Sequence, residues 1–300
     1  MKIAVTGAFS YSGKYIARRL LARGEEVITL TGHPNRPDPF DGKIKAFPLD
    51  FSDERGLVNS LRGVDTLYNT YWIRFDKGAN TQPAAVDNTR KLVRAAAEAG
   101  VRRMVHISIT NPSADSSLPY FWGKAANEKA VMKSGMEYGI LRPTVLFGKE
   151  DILINNIAWL LRRFPLFALP GDGSYRLQPV YVDDLAALAV EAGYARDNFV
   201  WDAVGPDIFT FRELVEMIGK TIQHTPPLIT VHPKLALAAA QFISLFVGDV
   251  VLTPEEVDGL MADLLVSKEA PRCKTGLRDW LAEHKATVGA QYASEIKRHF

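Results

Sequence analysis

The feature that most constrains the fold is the first two dozen residues. A short apolar run, Ile3 to Val5, enters the turn Thr6-Gly7-Ala8-Phe9-Ser10-Tyr11-Ser12-Gly13. An amphipathic segment follows, with Ile16, Ala17, Leu20 and Leu21 on one face, and Gly24 closes it. A strand, a tight turn and a helix in that order open an α/β fold. Gly7 permits a turn that a Cβ obstructs, and Gly13 lets the helix begin close to the strand.

The same alternation continues. Strands are expected at Glu26 to Leu30, Ile44 to Leu49, Val64 to Asn69 and Arg103 to Ile109. Between them lie a short helix capped by Ser52 or Asp53, with Leu57, Val58 and Leu61 inward, and a long one from Ala84 to Ala99 stopped by Gly100. Strands alternating with helices predict a Rossmann-like, doubly wound parallel sheet. Three hundred residues suffice for that domain and a smaller lobe. The net charge of +2, with no basic tract, argues against a nucleic-acid partner. Cys273 is the one cysteine, so no intrachain disulfide can form. That, and a strand entered directly after Met1-Lys2, leads to the expectation of a cytoplasmic protein without a signal peptide.

A strand, Gly-rich turn and helix N-terminus can hold a pyrophosphate, since first-turn N–H groups face the anion. An NAD site then usually has an acid at the tip of the second strand. Here the tip is Thr31, followed by Gly32-His33-Pro34-Asn35-Arg36. With no acid and a cation nearby, NADP is expected, with NAD as the alternative; Arg36 is equally readable as a solvated loop residue. Tyr71, Trp72, Arg74 and Phe75 follow the fourth strand, where ligands bind in open α/β sheets. They read either as pocket lining or as ordinary packing and surface charge.

Tyr120 and Lys124 are four apart at the start of the helix after the fifth strand, one turn from each other on one face. An ammonium near a phenol favours the phenolate and brings a pKa of about 10 towards the working range, which suits general acid/base chemistry. The same Lys can hydrogen-bond a nicotinamide ribose.

These motifs together resemble the short-chain dehydrogenase/reductase superfamily. The turn is similar to its Thr-Gly-x-x-Gly-x-x-Gly fingerprint, with Ser10 where the middle Gly would stand. Leu141-Arg142-Pro143 through Gly148 resembles a segment of the extended members in which backbone near the Pro faces the nicotinamide, and Val180-Tyr181-Val182-Asp183-Asp184-Leu185-Ala186 resembles the segment that returns their chain to the core. The divergent loops look most like the atypical branch that contains the nucleotide-binding accessory subunit of respiratory complex I and its bacterial relatives. The resemblance covers roughly the first two-thirds of the chain. It implies a cofactor site at Gly7, Phe9, Ser10, Tyr11, Ser12, Gly13, Thr31, His33, Arg36, Asp50, Phe51, Asn69, Thr70, Lys124 and Pro143, with Asp50 accepting from the adenine amino group. It also implies catalysis by Tyr120 and Lys124 with help from Ser108 or Thr110. The departure is Ile109, which stands where active members carry a Ser or Thr that polarises the substrate carbonyl; losing such a donor costs about 100-fold or more.

The expected organisation is a dinucleotide-binding domain over 1–150, to which 178–204 return, and a smaller, mostly helical substrate lobe over 151–177 and 205–300. Arg176 and Gln178 are candidates for a substrate's polar end, though each is better explained singly by loop satisfaction. Capping boxes at Thr210-Phe211-Arg212-Glu213 and Thr253-Pro254-Glu255-Glu256 each predict a helix start. Leu235 to Val247 is almost wholly apolar. At about 20 Å as a helix it is short of a bilayer's roughly 30 Å core, so core packing or a pocket wall is expected, with a dimer face or shallow membrane contact as the lesser reading. The function so implied is an NADP-preferring reductase, dehydrogenase or epimerase, monomeric or homodimeric, with no transmembrane segment. Its substrate would be a small molecule with an apolar or ring portion, suggested by Tyr71, Trp72, Phe121, Trp122 and Phe147. The alternative is a non-catalytic NADP(H)-binding regulatory or assembly protein.

Overall fold

The computed structural model describes residues 1–296. In chain order the elements are β1 (Lys2–Thr6), α1 (Tyr11–Ala22), β2 (Glu26–Thr31), β3 (Lys45–Pro48), α2 (Glu54–Leu61), β4 (Thr66–Asn69), α3 (Gln82–Glu98), β5 (Arg103–Ile107), α4 (Pro119–Met132) and β6 (Glu137–Pro143). There follow β7 (Leu146–Phe147), α5 (Leu153–Arg163), β8 (Phe167–Pro170), β9 (Arg176–Leu177), β10 (Val180–Tyr181), α6 (Val182–Tyr194) and β11 (Phe199–Ala203). The last are β12 (Phe209–Thr210), α7 (Phe211–Ile222), β13 (Leu228–Val231), α8 (Pro233–Val247), α9 (Pro254–Met261) and α10 (Leu277–His284).

The chain divides into two compact units, one of Met1–Pro143 with Val182–Ala203, the other of Thr144–Tyr181 with Val204–Phe300. The first is built on a seven-stranded sheet of order β11-β6-β5-β4-β1-β2-β3. Every pairing in it is parallel, for example Ile3 with both Val27 and Thr66. Strand order reverses between β1 and β4, the place where ligands bind at the carboxyl ends of open α/β sheets. This is the Rossmann-like architecture expected from the alternation. Parallel strands covered on both faces read as continuous apolar runs, and Ile3, Ala4 and Val5 of β1 are all buried.

One layer of that core joins Ala4, Ile28, Leu30 and Leu67 to Leu57, Val58 and Leu61 of α2 and Leu92, Val93 and Ala96 of α3. The helix α1 packs on α6, where Arg19 holds Asp183 through two hydrogen bonds of 2.8 Å. Asp53, not Ser52, caps α2, its carboxylate accepting from Gly56 N at 2.9 Å. Arg103 is fully buried; it donates to Ala192 O at 2.7 Å, Asp197 O at 2.8 Å and Tyr138 O at 3.1 Å, tying β5 to α6, to the loop before β11 and to β6.

The second unit packs α5, α7 and α10 around Phe147, Leu161, Leu169, Leu177, Phe209, Leu214, Ile218 and Leu281. Its strands form three short pairs, β7 with β10, β8 with β13 and β9 with β12. Both capping boxes form: Thr210 with Glu213 starts α7, and Thr253 with Glu256 starts α9.

One expectation is reversed. The apolar run in α8 does not fill the core. Its small residues, Ala236 and Ala240, face inward, while Leu235, Phe242, Leu245 and Phe246 are 62–81% exposed. Small side chains let the helix lie close on its neighbour, and the large ones then point away from it.

The tightest contact in the first unit is at Gly13. A Cβ there would lie 2.3 Å from Gly7 O and 2.8 Å from Gly7 C, both backbone atoms that cannot swing aside. Gly13→Ala is therefore expected to destabilise the protein by about 1–3 kcal/mol through forced displacement of α1. Urea unfolding measures this directly; a midpoint equal to that of the parent would contradict the packing described.

Candidate functional site

The candidate residues from Gly7 to Pro143 all belong to the first unit, and the parallel sheet carries their loops to one edge. Gly7 has φ of +66°, and its N–H donates to Leu30 O at 2.9 Å, so the turn begins locked to β2. Its carbonyl accepts from Ser10 N at 2.8 Å. Ser10 is the N-cap of α1, with φ of −99°, a conformation open to any residue, so its place in the fingerprint needs no glycine. The Ser10 hydroxyl makes no capping hydrogen bond, and the first turn of α1 contains no acid. Tyr11 and Ser12 are half-buried and open the helix, and Phe9 lies against Phe40 at 6.3 Å. An uncapped N-terminus without carboxylates, drawn against β1 where only glycine fits, suits a diphosphate.

Thr6 organises the other side of the turn. Its hydroxyl accepts from Thr70 N at 2.8 Å and Tyr71 N at 3.1 Å and lies 3.2 Å from Asn69 Oδ1, while Thr70 Oγ1 donates to Thr6 O at 2.6 Å. Asn69 is fully buried and belongs to this strap: its amide donates to His106 Nδ1 at 3.0 Å. His106 is thereby an acceptor at Nδ1 and carries its proton on Nε2. Burial, with the nearby Lys124 charge, drives its pKa down to about 3, so the ring is neutral.

At the tip of β2, Thr31 Oγ1 accepts from His33 N at 3.1 Å, and Arg36 N donates to His33 O at 3.2 Å. No acid occupies this tip: Thr31 is buried, His33 is exposed and Arg36 half-buried. Asp50 is exposed, and one of its oxygens accepts from Ser52 N at 2.9 Å and Ser52 Oγ at 2.6 Å. Those bonds hold its carboxyl below the usual range and make it a turn residue at the end of β3. Phe51 meets the Tyr71 ring at 4.8 Å, and Tyr71 in turn accepts from Asn88 at 3.0 Å.

Of the group predicted for chemistry, Tyr120 and Lys124 lie on α4, and Ser108 and Thr110 follow β5. Tyr120 lies in the first turn of α4, half-buried, its ring edge-on to Trp72 at 5.8 Å. Lys124 is 3% exposed; its Nζ donates to Ile107 O at 3.0 Å and sits 4.9 Å from the Trp72 ring and 5.9 Å from the Tyr120 ring. Burial pushes its pKa down to about 7. Trp72 reaches this position because residue 123 is glycine: a Cβ there would lie 2.7 Å from the indole.

Beyond β5 the chain stays hydrogen-bonded to β6, Ser108 N to Leu141 O at 2.7 Å and Thr110 N to Pro143 O at 2.9 Å. Alternation puts His106, Ser108 and Thr110 on one face and Ile107 and Ile109 on the other. Ile109 is buried, as are Ser108 and Thr110. The Ser108 hydroxyl has no partner among the described residues, and the residue before it, Ile107, accepts from Lys124.

Sequence reasoning missed three residues here. Asn127 is fully buried on the Tyr120–Lys124 face of α4, with neither amide atom partnered among the described residues; its spacing of three from Lys124 and seven from Tyr120 was the available signal. Glu128 is buried and holds Arg142 of the Leu-Arg-Pro segment through bonds of 2.8 and 2.6 Å, which fixes β6 against α4. Nothing in local sequence marks that pair. His106 could be read only as a strand residue. In the second unit, Arg176 is paired with Asp263 at 3.1 Å, and Gln178 is buried between Gly205 O and Ser267 N, so both are held by residues distant in sequence.

Residues 7–155 match the NAD(P)H-binding domain family. The chain is 26% identical to the Arabidopsis thaliana protein named NADH dehydrogenase (ubiquinone) 1 alpha subcomplex subunit 9, mitochondrial, over 89% of this chain and 71% of that one. It is 24% identical to the NADH-ubiquinone oxidoreductase 40 kDa subunit, mitochondrial, of Neurospora crassa, over 90% and 73%. Among solved structures it resembles a nucleoside-diphosphate-sugar epimerase from Staphylococcus aureus (TM-score 0.73, 16% identity, 94% of this chain and 100% of that one). It also resembles MoeE5 in complex with UDP-glucose and NAD (TM-score 0.70, 20% identity, 96% and 98%). Likeness at those identities establishes the fold. No helix among the described residues is long and apolar enough to cross a membrane. Residues 7–155 are thus an NAD(P)H-binding domain by family match, and the homologues and the fold are consistent with the extended, NAD(P)-binding members of the short-chain dehydrogenase/reductase superfamily.

Proposed function

We propose that the protein is an NADP-preferring oxidoreductase or epimerase in which Tyr120 exchanges a proton with a carbonyl or alcohol oxygen. The observation that carries this reading is the placement of Tyr120 at the start of α4 with Lys124 buried one turn behind it, its Nζ 5.9 Å from the phenol ring. The fit to the dinucleotide rests on the glycine cradle at Gly13, where a Cβ would strike Gly7 O. The turn from Gly7 to Gly13 would hold the diphosphate. Thr31, His33 and Arg36 would face the adenosine ribose, where a cation and no acid favours a 2′-phosphate. Asp50 and Phe51 would flank the adenine, Thr70 and the strap through Asn69 would support the middle of the cofactor, and Lys124 and the Pro143 backbone would meet its nicotinamide end. When bound, the nicotinamide supplies the hydride acceptor or donor.

The chain's own residues then do the rest. A protonated Lys124 stabilises a phenolate at Tyr120, and a phenol at Tyr120 donates to a developing alkoxide. The Ser108 hydroxyl, buried without a partner among the described residues, is the donor proposed in place of the one absent at Ile109, and it would have to reach the oxygen from the other face of the strand. Thr110 lies on the same strand face and lends a second hydroxyl to that end of the site. Trp72 and Tyr71 shield the pair from water and favour a substrate with an apolar or ring portion. The second unit is the natural substrate lobe, and a monomer or homodimer in the cytoplasm fits the site.

A second reading, a non-catalytic NADP(H)-binding subunit, is favoured by Ile109 at the position of the usual donor and by relatives named as subunits of a larger complex. Turnover separates the two. NADPH oxidation over a panel of apolar aldehydes and ketones is expected to fall about 10²–10⁴-fold in Tyr120→Phe, with NADPH affinity unchanged. Equal turnover in that variant would rule out the acid/base role. A protein that NADPH stabilises against heat, yet that consumes it with no carbonyl compound, would favour the second reading.

Lys124 makes a separate prediction. Its folded pKa of about 7 lies below the ordinary 10.5, so the folded state binds fewer protons than the unfolded state between those values. Stability from this group therefore rises with pH across that window. Urea unfolding of the parent and Lys124→Met is expected to show the parent gaining on the variant from about pH 7 upward, with the difference flat below it. Parallel pH profiles would show that Lys124 is not buried as described.

A further inference from the structure

The second unit contains a feature that cofactor binding does not explain. On α8, successive residues turn by about 100°, so Leu235, Phe242, Leu245 and Phe246 fall on one side with Ala238 and Ala239 between them. All of these are exposed, and the Phe242 and Phe246 rings meet edge-on at 4.9 Å. The opposite side, through Ala236 and Ala240, is the packed one, and α8 rests on β8. The helix thus presents its bulk outward. Leu166, just before β8, and Ile229 of its partner strand β13 extend the exposed apolar surface of this unit. Patches of this kind on an otherwise polar protein mark interaction surfaces.

Charge indicates what covers it. The sequence has no Asp or Glu between Asp151 and Asp172, or between Glu216 and Asp249, although 34 acids are spread over the 300 residues. Those two intervals are the ones that build α5, β8, β13 and α8. They carry Arg162, Arg163, Lys220 and Lys234. Lys234 flanks the exposed side of α8, and Arg163 is exposed at the end of α5. Lys220 pairs with Glu216 of its own helix at 4.0 Å. At the far end of α8, Asp249 is buried, its oxygens accepting from Glu295 N at 2.7 Å and Ile296 N at 3.2 Å, so its carboxylate is not presented at the surface.

We propose that this face of α8 rests on an anionic lipid surface. An interfacial helix inserts an apolar side to the depth of the headgroup boundary, with cations alongside to meet lipid phosphates. With fifteen residues, α8 is about 22 Å long, too short to span a bilayer but long enough to lie in its plane. A two-fold dimer through the same face would bring Lys234 of one copy towards that of the other, with no acid on α8 to compensate.

Flotation of the full chain with vesicles tests this. Vesicles of phosphatidylcholine mixed with phosphatidylglycerol are expected to carry the protein, pure phosphatidylcholine much less, and added salt is expected to weaken binding. Leu245→Gln with Phe246→Gln should reduce partition at least about tenfold, since burying each such side chain is worth that much or more. Arg163→Glu with Lys234→Glu should remove the preference for anionic vesicles. All four positions are exposed, so thermal midpoint and NADPH titration of the variants should match the parent. Absence of binding to anionic vesicles, equal binding to both compositions, or binding untouched by the Gln pair would overturn the proposal. So would a dimer in sedimentation velocity that the Gln pair dissociates while vesicles are not bound.

Discussion

The structure of the first unit depends on one close approach, the backbone of α1 at Gly13 against the carbonyl of Gly7. Because no side chain intervenes, the helix begins hard against the end of β1. The N–H groups of its first turn are then aimed at the carboxyl edge of the sheet. Gly7, in a left-handed conformation and bonded to Leu30 O, sets the entry to that approach. Everything proposed for the cofactor follows from the resulting cradle: a short, uncapped, carboxylate-free helix terminus at the point where strand order reverses.

A second constraint holds the neighbouring loops. Thr6 fastens Thr70 and Tyr71 to β1, and Asn69 carries the strap on to His106 of β5. The carboxyl ends of β1, β4 and β5 are therefore connected by side chains as well as by the sheet. His106 in turn neighbours Lys124 closely enough for the Lys charge to depress its pKa. A neutral His106 and a lowered Lys124 pKa are both consequences of burial.

Much of this was legible in the sequence because it rests on local pattern. Strand and helix periods, the Gly7–Gly13 spacing, the two capping boxes and the four-residue spacing of Tyr120 and Lys124 all lie within a few residues of one another. What was not legible depends on contacts distant in sequence. Asn69 looked like a strand-end ligand residue, and its engagement with Thr6 and His106 appears only when three strands are side by side. Asp50 has the turn bonds that its neighbours Ser52 and Asp53 already allowed. The Glu128–Arg142 pair joins a helix to a strand that neither predicts. The run in α8 shows the limit of composition most clearly: apolarity signalled burial, but the face on which the alanines fell decided which side of the helix was buried.

The β1–α1 turn is proposed to hold a dinucleotide whose 2′-phosphate lies near Arg36. Fluorescence titration of the protein and of Arg36→Ala with NADPH and NADH tests it most directly. The account predicts NADPH binding well above NADH, with the preference lost in the variant while NADH binding is retained. If neither nucleotide bound the parent protein, the cradle at Gly13 would be a packing feature alone, and the cofactor site described for this chain would be wrong.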